Sequence, residues 1–463
     1  MTGTSRAFRG TGADLAVLAG ADARTRPEAP SMIAMALFIA AVGYFGGVDS
    51  TWRQVHFLAA SAAILYWGLR HDAILARCLK LCWPLLAMTA IGLCVTVADG
   101  AVFERDTLKG LWYTTRVPVY VTFGALAALR IPSLHWISNV LLLAGALLAI
   151  HFLLTYYTDP NVVGGDRLYI RSQIGHGNLT SAFAVVLAYY KFFIERDRGL
   201  LSGVVTFTAA VIMAGSIILA DSRSHLYGQL FLLLFVLGLI PSAFFGRTVV
   251  LAAILCLFVL TTPALYQFVS PGELTAMSEK LPEALNELLP IDRATAADVN
   301  NFWRGYETFS TFSGVSGQGP AAISFGIGLH GAVIIPDTPR DLGDPLNDAI
   351  PIFHNGFSFA YVRAGLVGLA LFMWQHVIFA SRARPLIRSQ LRDVQFFGRL
   401  YCGLLILMIT EIPTTTGLLN YDESGATSCI FLGFLIGFGW VLQHRAANAP
   451  GVPTLSTRLP PIS

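Results

Sequence analysis

Apolar residues in this chain gather in membrane-length blocks separated by short polar turns. The blocks run over 31–48, 54–69, 79–97, 110–129, 137–157, 178–194, 201–220, 225–244, 247–266, 353–380, 399–418 and 427–443. The second is short and the eleventh is polar for its length. Crossing a hydrocarbon core takes about 20 helical residues. In lipid a helix pairs its own backbone groups, and the alternation of a membrane barrel is absent. The pattern predicts an all-α polytopic membrane protein of about 12 transmembrane helices. One long loop, 267–352, interrupts it between helices 9 and 10. The chain then divides into a tail at 1–30 without order, helices 1–9 over 31–266, the loop, helices 10–12 over 353–444 and a second such tail at 445–463.

The interruption has a pattern of its own. Leu274, Met277, Leu281, Leu285 and Leu288 recur every three or four positions, which predicts an amphipathic helix on the membrane or bundle surface. Pro282 divides it. Val299, Phe302, Tyr306 and Phe309 form a second apolar stripe, with Asn300, Arg304 and Glu307 on another face. The stretch 314–348 is rich in Gly, Pro and Asp and is expected to be irregular.

Charge orients the chain. Charged residues are 13% and hydrophobic ones 55%, where a soluble domain carries about 25% charge. With the N-terminus inside, the inner segments hold 19 of the 31 basic residues and seven of the 28 acidic ones, which leaves 12 basic and 21 acidic residues outside. The positive-inside rule then puts both termini in the cytoplasm and the long loop outside. The run after Ser31 reads as a signal anchor, because its polar leader is long and no small-residue cleavage site follows. None of the six cysteines lies in the loop, so no disulfide framework is expected there. Cys78 and Cys82 share a helix face, read either as ordinary packing or as a redox or metal pair.

Polar residues at membrane depth are costly and are candidates for function. Ser222-Arg223-Ser224-His225 occupies a short outer turn, where Arg223 meets a lipid headgroup phosphate or snorkels beside Asp221. Arg304 either binds a ligand or pairs with Glu307 on a solvated helix face. His354-Asn355 opens the tenth block. Histidine takes a proton from a hydroxyl near neutral pH, and Asn355 is a candidate N-cap. Arg363 lies about two and a half turns further in. Arg171, His176 and Arg116, with Arg167 and Asn178, extend a cationic outer vestibule or serve structure. These cations gather on a side that is acidic overall, which points to a specific anionic ligand such as a diphosphate, bound by the planar arginine fork. Asp341, Asp344 and Asp348 read as a solvated acidic loop, so no metal is expected.

Three of these stretches together resemble the O-antigen ligase and polysaccharide polymerase superfamily of bacterial envelope glycosyltransferases. Ser222-Arg223 before an apolar helix is similar to its Ser-Arg-Gly signature, with Ser224 in place of the Gly. Arg304-Gly305-Tyr306-Glu307 followed by Gly317-Gln318-Gly319 is similar to its Arg helix and Gly-x-Gly turn. Phe353-His354-Asn355 with Gly365-Leu366-Val367-Gly368 is similar to its His-Asn helix. The likeness spans about residues 170–375. It implies a multi-pass protein of the bacterial inner membrane, with its site facing the periplasm and an undecaprenyl-diphosphate-linked oligosaccharide as donor. It also implies an inverting transfer without metal or cofactor. On that reading Arg223 and Arg304 bind the diphosphate, and His354 activates or positions the acceptor hydroxyl. Asn355, Arg363, His176, Arg171, Arg116 and His225 would line the substrate site. The implied partners are a glycan or lipid A-core acceptor, membrane lipids, and a chain-length regulator or flippase of the same pathway; no nucleic acid is expected. Polymerisation of exopolysaccharide or O-antigen units is the leading expectation and ligation to lipid A-core the alternative. Outside this class stand a transporter or flippase and a non-catalytic scaffold.

Overall fold

The computed structural model describes residues 39–40, 50–68, 72–130, 134–159, 178–193, 200–219, 232–240, 303–334, 349–350, 353–389, 392–412, 417–419 and 423–448. The helices before the long loop are α1 (Ser50–Gly68), α2 (Asp72–Leu81), α3 (Trp83–Ala98), α4 (Arg105–Arg130), α5 (Leu134–Thr158), α6 (Asn178–Phe193) and α7 (Leu200–Leu219). After them come α8 (Trp303–Ser316), α9 (Pro320–Phe325), α10 (Gly356–Ile387), α11 (Arg392–Thr410) and α12 (Glu423–Asn448). Two residues at Val333–Ile334 pair antiparallel with Ala349–Ile350. The described part is otherwise helical, as the apolar blocks predict.

The number of spans is smaller than expected by a strict measure. Among the described residues, two helices are long and apolar enough to cross a membrane: Trp136–Thr158 and Gly356–Ile387. A third candidate is the pair Ala73–Leu81 and Trp83–Ala98, bent by 69°. The bend divides the block expected at 79–97. Pro84 has no N–H for the carbonyl one turn back, and its ring crowds that carbonyl. Gly203–Ile217, Val394–Thr410 and Gly425–Val441 are apolar but shorter. The expected block at 247–266 and the Leu274-to-Leu288 helix lie outside the described residues, as do most of 31–48 and 225–244.

The helices pack as a bundle. α12 lies along α4, α6 along α5 and α7, and α10 between α3 and α11. Val117, Val121, Phe183, Phe372, Leu404 and Leu432 belong to its main apolar core. The α4–α12 approach depends on small residues. Gly433 and Gly437 sit one turn apart on α12, and a Cβ on either would overlap a backbone carbonyl of α4, at Val121 and Ala125. Such stripes let helix backbones close to van der Waals contact. Gly433→Ala should therefore force these helices apart and lower stability by about 1–3 kcal/mol. Thermal unfolding in detergent is the check, and an unchanged midpoint would contradict this packing.

The described part of the long loop, 303–334 and 349–350, is held against the bundle. α8 packs on α10, and α9 sits on α10 and touches α3. The stretch expected to be irregular thus contains the end of α8, all of α9 and the first strand of the pair. Beyond α9 the chain turns inward. Ile327 and Leu329 are buried, and the Leu329 N–H reaches Thr96 Oγ1 at 2.7 Å and the Gly92 carbonyl at 3.3 Å. Irregular backbone buried in this way is stable only where protein satisfies its polar groups.

Candidate functional site

The site starts with a break in α10. Ala364 (φ −148°, ψ 20°) and Gly365 (φ 63°, ψ −155°) leave helical geometry. Gly365 occupies a region open in practice only to glycine. The break releases the Val362 carbonyl from its helical partner, and the Ile327 N–H takes it at 2.8 Å. Close approach makes this possible, since a Cβ on Gly365 would overlap the Ser324 carbonyl group.

Arg363 secures the inward loop. Its Nη1 donates to the carbonyls of Leu329, Gly331 (2.9 Å) and Gly328 (3.4 Å). The guanidinium lies 5.1 Å from the centroid of the Phe359 ring. A buried arginine needs such acceptors, and here they are backbone carbonyls of the loop. That is a structural task, different from the ligand-binding role expected for Arg363. Arg116 is likewise buried. Its Nη2 donates to the Leu419 carbonyl at 2.5 Å, and its guanidinium lies 5.4 Å from the Tyr113 ring. It thereby ties α4 to the short turn Gly417–Leu419.

The His-Asn pair stands at the start of α10. Asn355 caps the helix, its Oδ1 accepting the Phe357 N–H at 2.9 Å. Its Nδ2 donates to Thr308 Oγ1 on α8 at 3.0 Å. The cap thus serves two elements, satisfying an orphan helix donor and docking α8 on α10. Phe353 is fully buried just before it, and Phe312 of α8 stacks on Tyr361 with ring centroids 4.4 Å apart.

The largest departure from expectation is Glu307. On a solvated helix face it would be exposed. Instead its side chain is 0% exposed. Oε1 accepts the backbone N–H of His354 at 2.8 Å, and Oε2 lies 3.3 Å from His354 Nδ1. That second separation is within ion-pair range but longer than the charge-assisted hydrogen bond of about 2.8 Å. The His354 side chain remains 37% exposed. A reachable imidazole is thus backed by a carboxylate that water does not reach. The buried face of α8 carries Glu307, Thr308, Thr311 and Val315, and Thr311 Oγ1 donates to the Glu307 carbonyl at 2.6 Å. Of the expected apolar stripe, Tyr306 is buried and Phe309 partly buried, while Val299 and Phe302 lie outside the described residues. The signal was present in the sequence, since 307, 311 and 315 share a helical face. In the sequence Glu307 groups instead with Asn300 and Arg304, where an arginine three residues earlier offers it a solvated partner.

Arg304 occupies the first turn of α8, three residues before Glu307. Arg223, His225, Arg171, His176, Arg167, Asp341, Asp344 and Asp348 lie outside the described residues. Cys78 and Cys82 are free thiols buried in apolar surroundings. A groove of about 700 Å3 runs between α3 and α9, lined by Cys94, Ala98, Asp99, Gln318 and Phe325 among others. Its lining includes neither His354 nor Glu307. Near it, His330 sits 3.4 Å from Thr96 Oγ1 and 3.8 Å from Asp99 Oδ2, a placement the sequence did not suggest.

The chain matches no family model, and no curated protein matches it significantly.

Proposed function

We propose that this protein is a polytopic inner-membrane glycosyltransferase that uses an undecaprenyl-diphosphate-linked glycan at the periplasmic face to extend a polysaccharide. The observation that carries this reading is the Glu307-backed, partly exposed His354 at the mouth of α10, on the helix pair that also bears Arg304. Several features support the membrane setting. Among the described residues, two helices have the length and apolarity to cross a bilayer. Leu65, Leu154 and Phe207 are large apolar side chains more than half exposed on α1, α5 and α7. Faces of that kind suit hydrocarbon better than water. About twelve spans, both termini inside, remain the arrangement that the apolar blocks and the charge asymmetry favour.

The chemistry fits the groups at hand. The acceptor hydroxyl oxygen attacks the anomeric carbon of the donor sugar from the face opposite the diphosphate. The carbon–oxygen bond to the diphosphate breaks, and its electron pair leaves with undecaprenyl diphosphate. The hydroxyl proton passes to His354. The transition state has oxocarbenium character, and negative charge grows on the departing diphosphate. Arg304 and Arg223, carried over from the family resemblance, would hold that charge more tightly as it develops, which is what accelerates the step.

Deleting the gene in the native host separates the readings. Single lipid-linked repeat units at the outer face are the expected result and mean a missing polymerase. Long lipid-linked chains that never reach lipid A-core mean a missing ligase. Donor retained on the cytoplasmic face means a transporter and would overturn the enzymatic reading.

A further inference from the structure

We propose that Glu307 is the positioning residue of the transfer: it fixes the ring of His354 so that Nδ1–H faces the carboxylate and Nε2 meets the acceptor hydroxyl. This inference rests on the reading of His354 as the proton acceptor. It assigns a task to a residue that the family motifs leave without one.

Four observations carry it. Glu307 has no solvent exposure, and burying a carboxylate is costly unless it is paired. Both of its oxygens approach one residue: Oε1 accepts the His354 backbone N–H, and Oε2 stands 3.3 Å from the ring Nδ1 without reaching hydrogen-bond geometry. Asn355 caps α10 through the Phe357 N–H, and the His354 N–H that Glu307 accepts lies before that cap, outside the helix's own orphan donors. Finally, the two elements are clamped beside this pair through Asn355 and Thr308, so the carboxylate approaches the ring on a rigid base.

An imidazole flanked by a carboxylate at Nδ1 is held in one tautomer, with Nε2 as the acceptor. When Nε2 takes the hydroxyl proton, the imidazolium forms against a negative charge already in place. Glu307 does not itself take the proton. The 3.3 Å separation suits a resting state, because such contacts tighten as the ring becomes cationic with substrate bound.

The test uses the full chain in proteoliposomes, with lipid-linked glycan extracted from the deletion strain as probe. Glu307→Gln keeps an oxygen for the His354 backbone N–H but removes the charge facing the ring. The expected result is a kcat lowered roughly 10²-fold, with KM for the donor and the thermal midpoint unchanged. In the His354→Ala background the same change should cost nothing more, since Glu307 acts through the ring. A Glu307→Gln protein with the kcat of the unaltered chain overturns the proposal, as does a full further loss in the double variant. A second variant leaves Glu307 intact: histidine methylated on Nδ1, placed at position 354, keeps Nε2 but has no Nδ1–H. It should lose activity to the same degree, and full activity overturns the proposal even if Glu307→Gln fails to fold. Undiminished transfer by His354→Ala alone is a different failure, because it removes the reading of His354 itself.

Discussion

Alanine in place of His354 is expected to slow glycan transfer by roughly 10²–10⁴-fold, the usual contribution of a positioned proton acceptor. The protein should still insert. The backbone N–H of residue 354 reaches Glu307 Oε1 whatever the side chain, and the Asn355 cap and its bond to Thr308 do not involve the ring. The ring is also 37% exposed, so its removal opens no sealed cavity. Glu307 Oε2 would lose the ring it faces at 3.3 Å, a contact that falls outside hydrogen-bond geometry, so the stability cost should stay below the ~1–3 kcal/mol of a buried acceptor newly left unpaired. Surface glycan in the host and the thermal midpoint in detergent separate the two effects. The activity should collapse while the midpoint moves modestly. Normal surface glycan from this variant would remove His354 from the chemistry.

Valine at position 365 should unfold the site without touching any polar group in it. Gly365 has φ 63° and ψ −155°, where a β-branched residue is strained by about 1–3 kcal/mol. Its Cβ would also overlap the Ser324 carbonyl group, which adds an overpacking cost of about 1–3 kcal/mol. Relief requires α9 to move away or α10 to straighten. Either movement parts the Ile327 N–H from the Val362 carbonyl and draws the inward loop off Arg363. The combined loss should be roughly 4 kcal/mol, read as a lowered thermal midpoint in detergent. Leu366→Ala is the control. That side chain is 51% exposed, and its truncation should change stability by no more than about 0.5 kcal/mol. Equal midpoints for the valine variant and the unaltered chain would mean that the break in α10 does not hold the loop.

Both predictions concern the same few turns, and they differ in how visible those turns were beforehand. The cap at Asn355 was legible because a capping side chain acts on a backbone group two residues away, a local rule that sequence carries. A helix through Gly365 was legible from the apolar block, but the break in it was not. Glycine within an apolar helix signals close packing as readily as a kink, and only the seat of α9 on α10 decided between them. Arg363 was expected to be costly unless it found partners. That those partners are carbonyls 32 to 35 residues earlier depends on a loop turning inward, which no periodicity encodes.

Sequence alone determined that the chain is helical and apolar in long blocks, and that a His-Asn pair opens the helix beginning at Gly356. These are consequences of side-chain chemistry and spacing along one segment. Tertiary structure alone decided that Glu307 is buried and aimed at His354, 47 residues away. A glutamate three residues after an arginine on a polar helix face reads equally well as a solvated pair. What distinguishes the cases is whether another element brings a donor to cover it. That choice belongs to the packing of α8 on α10, where the energy gained by satisfying one buried carboxylate depends on atoms that the local sequence does not contain.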